Sequence, residues 1–194
     1  NRGIALLNAG RFQPGIDQLD KLGRDNYGTE ELRSLKDRAN LALGFLLLRA
    51  KEPEKAIPFL QRVRLNEVHA SKALLGIGWA KMLVGQYDQA LVSLTELLKR
   101  PSSDPAVLEG YLAVPYAYSK ANASAQAIEH YQQTLKLFES ELQRLNDIER
   151  KLNKTGMFTK LLEGDPHRER EWLERVDGWP NSADSRIFTQ LITD

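Results

Sequence analysis

The sequence contains no cysteine, which excludes disulfide bonds, thiolate metal sites and a cysteine nucleophile from its 194 residues. Its three histidines, His69, His130 and His167, are far apart, and no two of them have the spacing of metal ligands on one helix. A glycine-rich phosphate loop is also missing. We therefore expect no catalytic site, no metal and no cofactor in this chain.

Neither sign of charge dominates, since 27 Lys and Arg residues stand against 26 Asp and Glu, and the basic residues are spread along the chain. Nucleic acid is not an expected partner, because phosphate binding depends on clustered cations. No apolar run reaches the roughly 18 residues that a membrane span needs, so direct membrane insertion is not expected. With 42% hydrophobic residues, the chain is expected to fold around a core and to be soluble.

The chain begins with Asn1 instead of Met, which indicates a fragment or a processed chain that has lost a leader. The absence of cysteine would suit an oxidising compartment such as the bacterial periplasm. We accordingly expect a periplasmic or envelope-associated location, with the cytoplasm as the alternative.

One sequence frame occurs four times in the first 140 residues. It places a small or special residue in the middle of an apolar helix and a second small residue twelve positions later, where a second helix opens. The first positions are Gly3, Gly44, Gly78 and Pro115, and the second positions are Gly15, Ala56, Ala90 and Ala127. The units therefore repeat at steps of 41, 34 and 37 residues, with loop insertions at 25–28 and 101–104.

Each second helix of the frame carries apolar residues three or four positions apart, which places them on one helix face. These residues are Ile16, Leu19 and Leu22, then Ile57, Leu60 and Val63, then Leu91, Leu94 and Leu97, and finally Ile128, Tyr131 and Leu135. The small residue beside each set lets two helices approach to about 8 Å. The pattern predicts an all-α chain of stacked helix-turn-helix units without a β-sheet.

These units resemble the tetratricopeptide repeat (TPR) family over about residues 1–140, most closely at 81–90, KMLVGQYDQA. The resemblance implies repeats at about 1–24, 37–66, 71–100 and 105–140, stacked in a right-handed α-solenoid. Pro115 departs from the family's preference for Gly or Ala, and we expect a kink there rather than a broken repeat.

The last helix of the fourth unit is predicted to be long, because neither Gly nor Pro interrupts residues 124–153. Its apolar residues follow heptad-like steps: Ile128, Tyr131, Leu135, Phe138, Leu142, Leu145 and Leu152. Residues 154–194 are predicted to form a helical extension that leads to a further repeat.

In the TPR family, partners usually lie in a concave groove that the first helices of the repeats line. The resemblance assigns the following residues to that groove: Arg38, Leu41, Phe45, Arg49, Lys72, Leu75, Trp79, Met82, Leu112, Tyr116 and Lys120. Aromatic, aliphatic and cationic side chains together suit an apolar helix or an extended peptide with some acidic character. We therefore expect a non-catalytic scaffold that binds a partner protein or peptide, in a setting such as a bacterial envelope or secretion assembly.

Two alternatives stay open. Phe45, Trp79 and Tyr116 could simply pack between neighbouring helices. The chain could also be a structural spacer or an oligomerisation module that contacts partners, including a second copy, through the helix at 124–153. A groove open to solvent favours binding, whereas a groove filled by residues 156–194 favours the structural role. The family's clamp around a C-terminal carboxylate is not expected, because its positions here are Leu41, Phe45, Gly76, Glu109 and Ala113.

Overall fold

The structure, a computed structural model, describes residues 2–9, 11–25 and 28–155, and the secondary structure in those ranges is helical without any strand. In chain order the helices are α1 (Arg2–Asn8), α2 (Phe12–Arg24), α3 (Glu30–Arg49), α4 (Pro53–Leu60), α5 (Ala70–Leu83), α6 (Tyr87–Leu97), α7 (Pro105–Lys120) and α8 (Ser124–Thr155). The predicted all-α class is confirmed. The segment 156–194, which decides whether the predicted groove is filled, lies outside the described residues.

The chain divides into two compact units, Asn1–Tyr131 and Gln132–Asp194. In the first unit, helices that follow each other in sequence pack together, both within a pair, such as α5 with α6, and between pairs, such as α6 with α7. The first helices of neighbouring pairs also touch, α3 with α5 and α5 with α7. This is the tandem helix-turn-helix solenoid that the repeat frame predicts.

The mid-helix glycines of the frame are points of close approach between paired helices. A Cβ atom on Gly78 would lie 2.5 Å from the Leu94 side chain, and a Cβ atom on Gly44 would collide with Leu60. Pro115 takes this position in α7, where it is fully buried, and the helix continues through it from Pro105 to Lys120. The unusual residue therefore leaves the first helix of the fourth pair unbroken.

The turns inside the pairs repeat one backbone geometry. Lys51, Gly85 and Asn122 each lie two residues beyond the end of a first helix and have φ values of 60°, 77° and 60°. The residue after each of them donates its N–H to a carbonyl five residues back; the Gln86 bond to Lys81, for example, is 2.8 Å long. This pattern is the Schellman cap, which satisfies carbonyls at the end of the first helix and reverses the chain into the second.

A buried carboxylate ties α3 to the segment that leads into α5. Asp37 is only 1% exposed, and its two oxygens accept from the Arg64 side-chain Nε at 2.7 Å and the Arg64 backbone N at 3.2 Å. Arg64 also pairs with Glu30 at 2.8 Å. A buried carboxylate is stable only when it is paired and hydrogen-bonded, so these contacts fix the segment that precedes α5 against α3.

Candidate functional site

The exposed side of α7 is a single stripe. After Pro105, the exposed residues of α7 are Glu109, Leu112, Tyr116, Ser119 and Lys120. Steps of three and four residues place them on one face of the helix. The rest of α7 is buried or half-buried, because it packs against α5 and α6. The helix thus presents a leucine and a tyrosine to solvent, between an acid and a lysine.

Trp79 of α5 joins this stripe to the neighbouring helix. Its indole N–H donates a hydrogen bond to Oε1 of Glu109 at 2.7 Å. Its ring is tilted by 43° against Tyr116 at a centroid distance of 6.2 Å. The Nζ of Lys120 lies 5.5 Å from the centroid of the Tyr116 ring, within cation–π range. Trp79, Tyr116 and Lys120, all assigned to the groove from the sequence, therefore form one connected group.

Phe45 connects α3 to α5 in a similar way. A Cβ atom on Gly76 would lie 3.3 Å from the tip of the Phe45 ring, so the ring rests on this glycine. Phe45 and Leu41 are both half-buried against the core around Leu60. Phe45 therefore packs between α3 and α5, and only part of its surface is accessible.

Two of the residues assigned to the groove belong to the core instead. Leu75 and Met82 are each only 6% exposed, within the apolar cluster that α5, α6 and α7 share. The cause is that α5 packs against first helices on both sides, α3 and α7, as well as against α4 and α6. Leu75 and Met82 are buried beneath the exposed residues and cannot contact a partner without a rearrangement.

The remaining assigned residues, with their exposed neighbours on α7, define what we term the first-helix face. It comprises Arg38, Leu41, Phe45 and Arg49 of α3, Lys72 and Trp79 of α5, and Glu109, Leu112, Tyr116, Ser119 and Lys120 of α7. Arg38, Arg49, Lys72, Leu112, Tyr116 and Lys120 are exposed, whereas Leu41, Phe45 and Trp79 are half-buried.

Free charge on the first helices is almost entirely positive. Arg38, Arg49 and Lys72 have no ion-pair partner among the described residues. Of the four acids on α3, α5 and α7, three are engaged: Glu30 and Asp37 pair with Arg64, and Glu109 accepts from Trp79. The fourth acid is Glu31, in the first turn of α3. The α3 and α5 part of the face therefore has cations available to an incoming anion, while Glu109 on α7 keeps its negative charge, because the indole that bonds to it is neutral.

His69, which the sequence did not single out as part of the site, lies near two of these cations, Arg38 and Lys72. It directly precedes α5 and is half-buried. Its pKa is lowered, first by burial and then by the charges of Arg38 and Lys72, while Asp37 opposes them. The only signal in the sequence was its position three residues before Lys72. Its proximity to Arg38 depends on the packing of α3 against α5.

The described ranges contain neither a candidate metal site nor a candidate membrane-spanning helix. Residues 2–9, 11–25 and 28–155 contain no group of three or more His, Asp or Glu side chains arranged to hold a metal ion. None of the helices in the same ranges has the length and apolar character that a membrane-spanning helix needs.

Comparison with known proteins places the fold. Residues 72–103 match the family model of the tetratricopeptide repeat. Residues 41 to the end of MamA from Desulfovibrio magneticus RS-1 have a similar structure, with a TM-score of 0.54 and 21% identity over 71% of this chain and 72% of that chain. The TPR domain of Arabidopsis FLU is similar too, with a TM-score of 0.51 and 24% identity over 56% of this chain and 98% of that one. No curated protein matches this chain by sequence.

Proposed function

Because the chain has the tetratricopeptide repeat fold and carries a matched repeat at 72–103, we propose that its first-helix face binds a segment of a partner protein that contains both carboxylates and large apolar side chains. The fold is in general a scaffold for protein–protein interaction. The choice of an acidic and apolar partner comes from the chemistry of the face itself.

The observation that carries this proposal is the combination of unpaired cations with exposed apolar surface. Arg38, Arg49 and Lys72 are free to meet carboxylates, while Leu112 and Tyr116 are 48% and 40% exposed on the same side of the stack. Complementary charge at the rim of an interface speeds association and excludes partners of the wrong sign. Burial of a large apolar side chain contributes about 1.5–3 kcal/mol, so Leu112 and Tyr116 are the expected source of affinity.

Trp79 has a different role from the one that its residue type suggests. Tryptophan is a frequent anchor in interfaces, but the N–H of Trp79 is already bonded to Glu109 and its ring is half-buried against Tyr116. It offers only part of its ring to a partner. We assign it the role of holding Tyr116 and Glu109 in place.

Calorimetry with designed peptides tests the proposal. Neighbouring helices lie about 8–10 Å apart and an extended chain advances about 3.3 Å per residue, so about ten residues cross three helices. A peptide of that length with Glu and Leu should bind the full chain, and a matched peptide with Lys in place of Glu should not. Binding should weaken with added salt, because rim charges are screened.

Matched variants locate the binding surface. Lys72→Glu should weaken the Glu and Leu peptide about tenfold or more, which corresponds to about 1.4 kcal/mol. Lys21→Glu makes the same charge change at an exposed position of α2 and should leave the affinity within about twofold. Equal losses in the two variants would show that net charge, and not this face, controls binding.

The alternative role as an oligomerisation module has support of its own on α8. Within the second unit, Leu135, Leu142 and Leu145 of this helix are exposed at heptad-like steps, a pattern that suits pairing with a second copy. Light scattering on the full chain distinguishes the roles. If the chain is a dimer and the double variant Leu142→Asp with Leu145→Asp is a monomer, the oligomerisation role is favoured. If the wild-type chain is already a monomer, that role is excluded.

A further inference from the structure

The two ends of the first-helix face differ in chemistry. At the junction of α3 and α5, Arg38 and Lys72 are exposed and pair with no carboxylate of the described residues, and α5 itself contains no acidic residue. The one buried carboxylate on this side, Asp37, is held by Arg64. Both free cations act on His69, because the charge of each lowers its pKa after the larger effect of burial. Two positive charges thus act at one position, His69, and neither cation pairs with a carboxylate among the described residues.

The α7 end is apolar and close to neutral. Leu112 and Tyr116 are its exposed apolar residues. Glu109 contributes one negative charge at one end of the stripe and accepts from Trp79, while Lys120 contributes one positive charge over the Tyr116 ring. A carboxylate placed here would be repelled by Glu109, and the one cation near it on α7 would be Lys120, whose Nζ lies over the Tyr116 ring. An aliphatic or aromatic side chain would bury Leu112 and Tyr116 without that cost.

From this contrast we infer that the face recognises the order of a partner segment and not only its composition: the carboxylates lie over Arg38 and Lys72, and the large apolar side chain lies over Leu112 and Tyr116. This inference rests on the proposed function, because it concerns the same face. α3 and α7 are separated by two spacings between neighbouring helices, each of about 8–10 Å. About five or six residues of extended chain cover that distance. The partner segment therefore has an acidic block and an apolar block about that far apart.

Two peptides of identical composition test the order. In the first, Glu residues and Leu residues form separate blocks, joined by a neutral spacer; in the second, the same residues alternate. Calorimetry with the full chain should show the block peptide binding about tenfold more tightly, because only it satisfies both ends at once. Equal affinities would overturn the inference and leave the proposed function standing.

A spin label on the peptide then tests the direction. With the label on the Glu block, amide signals from α3 and the start of α5 should broaden more than those of α7, and with the label on the Leu block the pattern should reverse. Similar broadening of all three helices by both labels would overturn the inference alone. Broadening of other helices instead, or no binding by either peptide, would overturn the proposed function and the inference together.

Variants supply a second readout that does not depend on the label. Arg38→Gln with Lys72→Gln should weaken the block peptide about tenfold and leave a peptide without Glu unaffected. Leu112→Ser should weaken the binding of both the block peptide and the Glu-free peptide, because both contain Leu. Leu112 is exposed, so its replacement should not unfold the chain. If the Gln variants weaken the Glu-free peptide to the same extent, the cations do not select carboxylates and the inference fails.

Discussion

α5 and α7 occupy the same place in successive repeats, yet equivalent positions in the two helices have different surroundings. Leu75 of α5 corresponds to Leu112 of α7, and the first is 6% exposed whereas the second is 48% exposed. Trp79 corresponds to Tyr116, half-buried in one helix and exposed in the other. The repeat frame alone therefore does not determine whether a side chain is accessible.

The difference comes from the neighbours of each helix. α5 contacts a first helix on either side, α3 and α7, so its apolar positions are covered from two directions. Among the described first helices, α7 packs mainly against α5, and its stripe is exposed. Charge differs as well, because Lys72 of α5 corresponds to Glu109 of α7. Position in the stack decides burial, and individual residues at repeated positions decide the chemistry.

The largest effect that tests this comparison is on stability. Leu75→Ala should lower the free energy of unfolding by about 2–4 kcal/mol, because it leaves a cavity in the core. Leu112→Ala, the same change at the equivalent position, should cost about 1 kcal/mol or less, since half of that side chain is already in water. Urea denaturation of the two variants measures the difference. Equal losses would mean that α7 is covered in solution and that the stripe is not a free surface.

A second pair of substitutions tests the contacts inside each repeat. There we expect the two repeats to lose similar amounts of stability. Ala90 and Ala127 are the small residues that open the second helices paired with α5 and α7, and they are 0% and 4% exposed. Replacement of either by Leu overpacks a close contact between helices, so each should cost about 1–3 kcal/mol. Gln89→Leu, at the exposed position beside Ala90, is the control and should change stability by about 0.5 kcal/mol or less. A large cost at Ala90 with none at Ala127 would show that the fourth pair does not share the packing register.

The contrast also explains how far the sequence could predict this molecule. Contacts within a pair join residues sixteen positions apart, such as Gly78 with Leu94 and Gly44 with Leu60. The frame sets this spacing, so it predicts the pairs, the turns and the all-α class. Whether Leu75 and Met82 are accessible depends on α3 and α7, which lie on either side of α5. Matching one repeat to a family pattern gives no information about those neighbouring helices. Their assignment to the groove surface was wrong for that reason.

The sequence also could not predict which side chains of the site contact each other. The bond between Trp79 and Glu109 spans 30 residues and two helices, and it changes Trp79 from a free anchor into a support. The charges that act on His69 come from α3 and α5 together. Both features depend on how first helices stack, which follows from the three-dimensional arrangement and not from the spacing within a repeat.

The smallest expected effect concerns the charge difference between Lys72 and Glu109. Lys72→Glu gives α5 the charge that α7 has at this position. It removes a cation that disfavours the protonated form of His69 and adds a carboxylate that favours it, so the pKa of His69 should rise. Titration of the His69 ring signals by NMR measures the change. Lys21→Glu, which makes the same substitution on α2, should leave the pKa of His69 unchanged.

The sign of the linked effect on stability follows from that pKa. In the wild-type chain the pKa of His69 is lowered by burial and by Arg38 and Lys72, so the unfolded chain takes up a proton at a higher pH than the folded chain. Acidification therefore favours the unfolded state: the free energy of unfolding falls as the pH drops through the ordinary histidine range, from about 7 to about 5. The fall should be smaller in His69→Gln and in Lys72→Glu, when urea denaturation is compared at the two pH values. If the wild type and His69→Gln lose the same stability over this range, His69 is not held in its neutral form by α3 and α5, and the cationic end of the face is weaker than its geometry indicates.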